Sequence, residues 1–328
     1  MIRVAINGFG RIGRAILRLG FGDPDLQFVA IYDPIPADNL AYLLKHDSDH
    51  GRFELDVRST KESIVVAGHE IPVRSKRNPV LLPWRKLGVD VVIEASGRFR
   101  SMRTASLHRL AGAKRVVITA IPSGGWETGI PLLIPGVNES SYSGEAVVSA
   151  ASRSANAAGA VTKLLHDRFG IRGGFLTAVH AYTRDQQLLD GGHPRDWRRG
   201  RAAALNIVPS GSDAALAVAA AITGLRRRLS GMTLRVPVPD GSLMRIIFQL
   251  REPADRDAVH AMVQEEAETK LSGIVSISGD PLTSRDVVND TNSIVLDPRA
   301  TSASFGSLLR WRGGMTTSGG TRQGSWKW

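Results

Sequence analysis

The amino-terminal 33 residues contain the pattern that most restricts how this chain can fold. Residues 2–6 (IRVAI) are a short β-branched run, which predicts a buried strand, and residues 8–13 (GFGRIG) follow as a glycine-rich turn. Apolar residues at helical spacing come next, and a second apolar run at 28–31 leads to Asp33, about 20 residues after the turn. This order of strand, glycine turn, helix, strand and acidic residue predicts the first unit of a dinucleotide-binding domain.

The glycines and the acidic residue of this unit have separate roles in binding a dinucleotide. Glycines permit a tight turn and let a pyrophosphate approach the helix amino terminus, where free N–H groups and the helix dipole favour an anion. The carboxylate accepts hydrogen bonds from the adenosine ribose and repels a 2′-phosphate, which favours NAD. The alternative is a glycine-rich turn with a purely structural role. The predicted cofactor-binding residues of this unit are Gly8, Gly10, Arg11, Ile12, Gly13 and Asp33.

Further apolar runs alternate with a helical segment in the rest of the first half. The predictions are buried strands at 89–94, 115–119 and 146–149 and a surface helix at 101–112. Strands that alternate with helices indicate an α/β domain with a Rossmann-type parallel sheet, which binds ligands at the carboxyl ends of its strands. Ser96 and Thr119 fall at such ends and are cofactor candidates, although either residue alone is equally consistent with a helix cap.

The second half has longer strand-like runs with fewer helices between them. The predictions are strands at 174–182, 233–237 and 243–250 and helices at 155–169, 212–222 and 254–271. This pattern predicts an α+β catalytic domain with a mostly antiparallel sheet. We therefore expect an NAD-binding domain at 1–149, a substrate domain at 150–310 and an aberrant tail at 311–328.

Composition excludes several classes of function. The chain has no cysteine, so disulfides, thiolate metal sites and thiol catalysis are ruled out, and no metal site is predicted. No apolar run approaches the ~20 residues of a membrane span, and no charged and apolar leader precedes the first strand, so we expect a cytoplasmic protein without a membrane partner. A net charge of +11 attracts nucleic acid, but the basic residues are mostly scattered and lack interleaved aromatic residues, so nucleic acid is not an expected partner.

Five stretches resemble signature sequences of the glyceraldehyde-3-phosphate dehydrogenase family, and they occur in the family's order. They are residues 6–14 (INGFGRIGR), 40–53 (LAYLLKHDSDHGRF), 179–186 (VHAYTRDQ), 198–210 (RRGRAAALNIVPS) and 231–242 (GMTLRVPVPDGS). The resemblance extends along nearly the whole chain, and five matches in the family's order are far more specific than one glycine motif. The resemblance implies oxidation of an aldose-phosphate aldehyde with NAD and inorganic phosphate, in glycolysis, by a homotetramer.

The same resemblance draws attention to Arg153. In the family a cysteine thiolate attacks the aldehyde, a histidine base activates the thiol, hydride passes to NAD, and phosphate displaces the acyl group. The family sequence around that cysteine reads SNASCTTN, whereas residues 149–156 here read SAASRSAN, so Arg153 stands at the position of the nucleophile. A guanidinium stays protonated and is no nucleophile. A hydroxyl of Ser152 or Ser154 would replace the thiol only with a base aimed at it.

The resemblance also implies roles for other residues. His180 matches the family's general base, and Arg77 joins the cofactor-binding set. The residues matched to the two phosphate pockets of the family are Ser152, Ser154, Thr183, Asp185, Arg199, Ser212 and Arg235. In the pocket for inorganic phosphate, Asp213 follows Ser212 where the family has glycine. A carboxylate at that place repels a phosphate, which predicts a weakened pocket.

Residues 311–328 depart from the family, which ends in a stretch like WYDNEWGYS followed by a helix. Here the segment has no helical period and is rich in glycine, threonine and serine, which predicts an unpacked tail. If one base is missing from the codon of Arg310, the same bases in another frame can encode RVAGWYDNEWGYSTGFLEM. We therefore hypothesise a frameshift at this codon. Arg153 fits the same history, because TGC to CGC is a single-base change from cysteine to arginine.

Three functional hypotheses follow. The first is a family enzyme that prefers NAD through Asp33 and is catalytically impaired by Arg153. The second is a non-catalytic relative with a regulatory role that binds NAD and a sugar phosphate, with Arg153 strengthening anion binding. The third and weakest is a basic protein that binds RNA without sequence preference. Turnover of glyceraldehyde 3-phosphate with NAD and phosphate separates the first two.

Overall fold

The computed structural model describes residues 1–76, 78–304 and 307–315. These residues form two compact units, which are described in turn. The first unit consists of Met1–Leu133 with Ser141–Ala151, and the second of Ile134–Ser140 with the described residues from Ser152 on. No helix in these ranges is both long enough and apolar enough to cross a membrane.

The first unit is built on a sheet in the order β3-β4-β5-β2-β1-β6-β7-β8. From β5 to β8 the neighbouring strands are parallel, and β3, β4 and β5 pair antiparallel at one edge. The strands are β1 (Ile2–Asn7), β2 (Leu26–Tyr32), β3 (Val57–Ser59), β4 (Ser63–Val66), β5 (His69–Arg74), β6 (Val91–Glu94), β7 (Arg115–Ile118) and β8 (Val147–Ser149). The helices are α1 (Arg11–Gly20), α2 (Ala37–Lys45) and α3 (Met102–Leu110).

The predicted α/β class and its parallel sheet are confirmed in this unit. The β-branched run of β1 is buried from Val4 onward because strands pair with it on both sides. Helix α1 buries Ile16 and Leu17 on its apolar face, as the helical spacing predicts. Helix α3 begins with a capping box in which Ser101 and Thr104 each bond the other's backbone N–H, so its first turn is satisfied by its own sequence.

The second unit contains a sheet in the order β10-β11-β9-β12-β16-β14-β13, with β15 paired to β16. Its pairings are antiparallel except for β11 with β9 and β13 with β14, which confirms the mostly antiparallel sheet. The strands are β9 (Ile171–Ala181), β10 (Val208–Gly211), β11 (Leu229–Val236), β12 (Ser242–Leu250), β13 (Val275–Ile277), β14 (Ile294–Leu296), β15 (Ser302–Ser304) and β16 (Leu308–Met315). The helices are α4 (Arg153–Phe169), α5 (Asp213–Ala221) and α6 (Arg256–Glu268).

Helix α4 is the central helix of the second unit. Ser152 caps its amino terminus by accepting a hydrogen bond from the Ala155 N–H at 3.2 Å. Most of its small side chains are buried, and a Cβ added at Gly159 would lie 2.8 Å from the Ile134 side chain. The alanine and glycine content of the helix therefore lets a neighbouring segment approach it closely.

Strand β16 corrects the expectation for the end of the chain. The unpacked tail expected at 311–328 is wrong for 311–315. These residues pair antiparallel with β12, and Trp311 is 1% exposed with its ring against His260. Pairing with a neighbouring strand supplies the backbone hydrogen bonds that a glycine-rich segment lacks by itself. The rest of the expected tail, residues 316–328, lies outside the described residues.

Candidate functional site

The glycine turn of the first unit is shaped by close backbone contacts. Gly8 has a φ of +96°, and a Cβ added to it would lie 2.5 Å from the Cα of Ser96. A Cβ at Gly13 would lie 2.3 Å from the Gly8 carbonyl oxygen. No other residue type fits at either position without moving backbone atoms, so the turn requires both glycines.

The amino terminus of α1 is open to a ligand. Its cap residue, Gly10, provides no side-chain hydrogen bond, and a Cβ added there would meet nothing within 4 Å. Arg11 and Ile12 form the first turn, and Arg11 Nη2 lies 3.3 Å from Asp49 Oδ2. Backbone N–H groups at a helix amino terminus that faces open space are what a pyrophosphate requires.

Asp33 is held next to this turn. Its Oδ2 accepts a hydrogen bond from the Phe9 N–H at 2.8 Å, and its Oδ1 accepts one from Ile35 at 3.1 Å. The carboxylate is therefore oriented by backbone groups, and each oxygen retains a lone pair for a ribose hydroxyl. The glycine turn, the open helix terminus and this acid together fit an NAD cofactor.

The other predicted cofactor residues of the first unit converge on Glu94. Ser96 donates from both its N–H and its hydroxyl to Glu94 Oε1. Thr119 donates from its N–H and its hydroxyl to the Glu94 carbonyl oxygen, each at 3.1 Å. Arg77 lies outside the described residues. Sequence reasoning missed Glu94 itself, although a carboxylate at the end of an otherwise apolar strand was a visible signal.

In the second unit, His180 and Arg235 lie side by side on one face of the sheet. They are directly paired in the parallel ladder of β9 and β11, and Arg235 Nη1 lies 2.8 Å from His180 Nδ1. The Ala181 carbonyl oxygen is 2.7 Å from the same Nδ1 and 3.3 Å from Arg235 Nη1. Because the guanidinium only donates and the carbonyl only accepts, Nδ1 can satisfy one of these two neighbours at a time.

Burial and positive charge keep the His180 imidazole neutral. Burial, the Arg235 guanidinium and the Arg153 guanidinium together lower the pKa of His180 from 6.5 to about 3. The hydrogen bond to Ala181 and the charge of Asp185 oppose this shift without cancelling it. The neutral imidazole can accept a proton, but a pKa of about 3 makes His180 a weak base near neutral pH.

Asp185 connects two arginines and a threonine near this histidine. It accepts hydrogen bonds from the Thr183 hydroxyl and from Arg199 Nη1. Burial alone would raise the pKa of Asp185, but these hydrogen bonds and the charges of Arg199 and Arg235 hold it below its ordinary value. The structure thus brings together Thr183, Asp185, Arg199, Arg235 and His180, all predicted from the sequence.

The amino termini of α4 and α5 carry the remaining predicted residues. Ser152 is the cap of α4, and the half-buried Arg153 and Ser154 are its first two residues. Ser212 caps α5 without a side-chain hydrogen bond, and Asp213 is the first residue of that helix. A carboxylate there suits the helix dipole but competes with a phosphate for the same N–H groups.

The second unit thus combines an imidazole, several cationic side chains and the Arg153 guanidinium at the amino terminus of α4. The hydroxyl of Ser152 is occupied as a helix cap. Arginine donates hydrogen bonds to anions and keeps its proton, so Arg153 adds positive charge and cannot attack a carbonyl carbon. Chemically, the second unit is equipped to bind a phosphorylated molecule and to accept a proton from it.

Comparison with known proteins places both units in one family. Residues 2–102 match the family model described as glyceraldehyde 3-phosphate dehydrogenase, NAD binding domain, and residues 152–312 match the model of the C-terminal domain. Glyceraldehyde-3-phosphate dehydrogenase 1 of Trichormus variabilis is 41% identical over 315 residues, which is 94% of this chain and 91% of that protein. The protein of the same name from Kluyveromyces lactis is 41% identical over 95% of this chain and 94% of its own length. The chain belongs to the glyceraldehyde-3-phosphate dehydrogenase family, and its cofactor is NAD.

Proposed function

We propose that this chain binds NAD and a phosphorylated aldehyde but does not efficiently carry out the phosphorylating oxidation that its family's chemistry requires. The observation that supports this is the position of Arg153 as the first residue of α4, with its charge acting on His180. A side chain that keeps its proton forms no covalent adduct with an aldehyde. The binding function persists while the nucleophile is lost.

Each group of residues has a defined part in this proposal. When bound, NAD supplies the hydride acceptor. Gly8, Gly13 and Asp33 form the turn and the acid that hold it. Thr183, Arg199 and Arg235, which surround Asp185, bind the phosphate group of the substrate. Guanidinium groups form strong charge-assisted hydrogen bonds to phosphate. His180 can accept a proton, but the chain has no cysteine thiol to donate one to it.

The same proposal covers domain roles and cellular setting. We assign NAD binding to residues 1–149 and substrate binding to residues 150–310. We place the protein in the cytoplasm and in glycolysis, in keeping with its family. Asp213 beside Ser212 makes its hold on inorganic phosphate weaker than its hold on the phosphate of the substrate.

We also propose that the chain forms a homo-oligomer, with the tetramer as the state that its family implies. Residues 188–207 expose several large apolar side chains, and Trp197 is 89% exposed. The exposed set is Leu188, Leu189, Trp197, Leu205 and Ile207. Apolar side chains concentrated in one exposed segment mark an interaction surface. We expect light scattering to give the mass of four chains, and Trp197→Asp to reduce it, whereas a monomer at micromolar concentration contradicts the proposal.

Titration and turnover together test the binding and the loss of catalysis. We expect calorimetry to detect NAD binding and binding of a phosphorylated three-carbon alcohol, which mimics the substrate without reacting. We expect turnover of glyceraldehyde 3-phosphate, with NAD and phosphate, to equal that of a heat-inactivated control. Undetectable binding at millimolar NAD contradicts the binding function, and turnover above the control contradicts the loss of catalysis.

A further inference from the structure

A buried set of polar side chains in the first unit extends beyond the residues predicted from the sequence. Glu94, at the end of β6, is 1% exposed, and Asn7, Trp84 and His108 are each 0% exposed. Each carries a polar group that needs a hydrogen-bond partner once it leaves water. These four residues are called the Glu94 cluster below.

The Glu94 carboxylate is the centre of this cluster. Its Oε2 accepts a hydrogen bond from Asn7 Nδ2 and lies 3.2 Å from His108 Nε2. Its Oε1 accepts from the N–H and the hydroxyl of Ser96. Both oxygens of the carboxylate are therefore satisfied. An apolar side chain in its place would leave the Asn7 amide, the Ser96 N–H and the His108 ring without this acceptor, so the acid holds three separate groups in fixed positions.

Trp84 fixes the orientation of the His108 ring. The indole N–H can only donate, and it lies 3.2 Å from His108 Nδ1, so Nδ1 is the acceptor and carries no proton. The hydrogen on Nε2 then points to Glu94. Trp84 therefore donates a hydrogen bond to His108, and His108 donates one to Glu94. These two hydrogen bonds together set the position of the carboxylate.

Asn7 and Ser96, which both donate hydrogen bonds to Glu94, lie on either side of the glycine turn. Asn7 directly precedes Gly8, and the backbone of Gly8 packs against Ser96 with room for no side chain. Gly13, at the start of α1, packs in turn on the Gly8 carbonyl. A displacement of the carboxylate therefore moves both neighbours of Gly8 and, through it, the start of α1.

Asn7 shows that this arrangement is not optimised for stability. Within residues 1–76, 78–304 and 307–315, its buried Oδ1 has no hydrogen-bond partner. Rotating the amide would bring this oxygen against the Glu94 carboxylate, so the present orientation is the better of the two. Buried polar groups left unsatisfied are rare in proteins and occur preferentially at functional positions.

We propose that Trp84, His108 and Glu94 are positioning residues for NAD binding, which act by holding Asn7 and Ser96 around the turn that receives the pyrophosphate. This inference rests on the proposed function, because it requires that the first unit binds NAD. The Glu94 cluster contacts the glycine turn through Asn7 and Ser96, and it affects NAD binding through the position of that turn. Loss of the carboxylate therefore weakens NAD binding in addition to destabilising the fold.

Two substitutions of Glu94 and one control test this inference by calorimetric titration of the full chain with NAD. Glu94→Met removes the carboxylate at similar volume, and we expect the Kd for NAD to rise at least tenfold. Glu94→Gln keeps one acceptor oxygen for Ser96, and we expect a rise of about threefold. The control, Ser101→Ala, removes the cap of α3 in the same unit, and we expect a lower unfolding midpoint with a Kd within twofold of the unsubstituted chain.

Trp84→Phe tests the positioning role through the Kd for NAD, which a purely structural role of Trp84 would leave unchanged. We expect ¹⁵N NMR to show a change in the Nδ1 signal of His108, because its donor is lost, and the Kd for NAD to rise about threefold. Folded Glu94→Met with a Kd within twofold of the unsubstituted chain overturns the inference. Where Glu94→Met does not fold, an unchanged Kd in Trp84→Phe overturns it. Undetectable NAD binding by the unsubstituted chain overturns the proposed function itself, and this inference with it.

Discussion

Arg153 affects the second unit through its charge as well as through the loss of a nucleophile. A cation in the first turn of a helix opposes the helix dipole, at a cost of roughly 0.3–1 kcal/mol. The same charge acts on His180, where burial and Arg235 already disfavour the imidazolium. In the proposed function, the arginine at this position therefore supplies no attacking group, and its charge also lowers the pKa of His180.

The pH dependence of stability tests this electrostatic effect. Folded His180 has a pKa of about 3 and the unfolded residue one of 6.5, so between these values the unfolded chain binds the extra proton. The contribution of His180 to stability is complete above pH 6.5 and falls by about 1.4 kcal/mol per pH unit as the pH drops toward 3. We expect Arg153→Ala to raise the pKa of His180 and to reduce this acid-induced loss, measured by urea unfolding at pH 4.5 and pH 7.

The exposed Arg172 on β9 offers a matched control for that measurement. Arg172→Ala removes the same charge from the same unit, and we expect it to leave the difference in stability between the two pH values unchanged. Equal pH dependence in Arg153→Ala and in the unsubstituted chain would show that the Arg153 charge does not reach His180.

The sequence predicted individual site residues where they belong to a signature stretch, but it did not predict their hydrogen-bond partners. The sequence identified His180, Asp185, Arg199 and Arg235 by position in a signature stretch. That Arg199 binds Asp185 depends on how the loop between them folds back, which no local spacing reveals. Asn7 and His108 give no local signal at all, because their role depends on meeting a carboxylate from another strand.

At the scale of elements, β16 carries two adjacent glycines within a paired strand. Gly313 and Gly314 line a cavity of about 170 Å³, together with apolar residues that include Leu243 and Val287. In the alternative reading frame across codon 310, tryptophan stands at position 314 and tyrosine at 315. A Cβ added at Gly314 would lie 3.0 Å from the Val287 side chain, so a large aromatic side chain there requires Val287 to move before it can enter this pocket.

Restoring the alternative frame tests this interpretation of β16. We expect the restored chain to be more stable by about 1–3 kcal/mol, because an aromatic side chain at position 314 buries apolar surface that the pocket leaves exposed. The matched control is the same restored chain with glycine kept at position 314. We expect chemical unfolding to show that this control loses most of the gain in the free energy of unfolding. Equal stability of all three chains contradicts the interpretation, and DNA without a family-like second frame across codon 310 contradicts the frameshift.

The capping box of α3 permits a prediction that involves no ligand. Ser101 accepts a hydrogen bond from the Thr104 N–H, and Thr104 accepts one from the Ser101 N–H. Ser101→Ala removes one of these bonds, and we expect a loss of about 1 kcal/mol in the free energy of unfolding. Chemical denaturation measures it, and Ser106→Ala on the same helix serves as a control with little expected change. A loss below 0.2 kcal/mol would show that the box contributes nothing.

Long periodic elements were predictable from the sequence, and short edge strands were not. Helix α4 begins two residues before the predicted start, because Ser152 caps it. Strands β4 and β5 were missed. They are joined by Ala67 and Gly68, which both have positive φ. Alanine rarely adopts that conformation, so the turn lacks the usual Asn-Gly or Asp-Gly signal.

At the scale of the whole molecule, the order of elements predicted the class of each unit. Alternating strands and helices in the first half led to the parallel sheet, and long runs with few helices in the second half led to the mostly antiparallel sheet. The strand order in the second unit was beyond prediction, because β9 pairs with β11 and β12 across long connections. In the proposed function, the two units keep the fold of their family, and Arg153 stands where the family's chemistry requires a cysteine.

Turnover of glyceraldehyde 3-phosphate with NAD and phosphate, before and after Arg153→Cys, tests that central claim most directly. The comparison is made in the chain with the restored carboxyl-terminal frame, so that the thiol is the only difference. We predict no turnover above background with arginine at position 153 and an increase of at least about 10³-fold with cysteine. Comparable turnover in both chains would contradict the account, because it would show that this protein does its chemistry without the lost nucleophile.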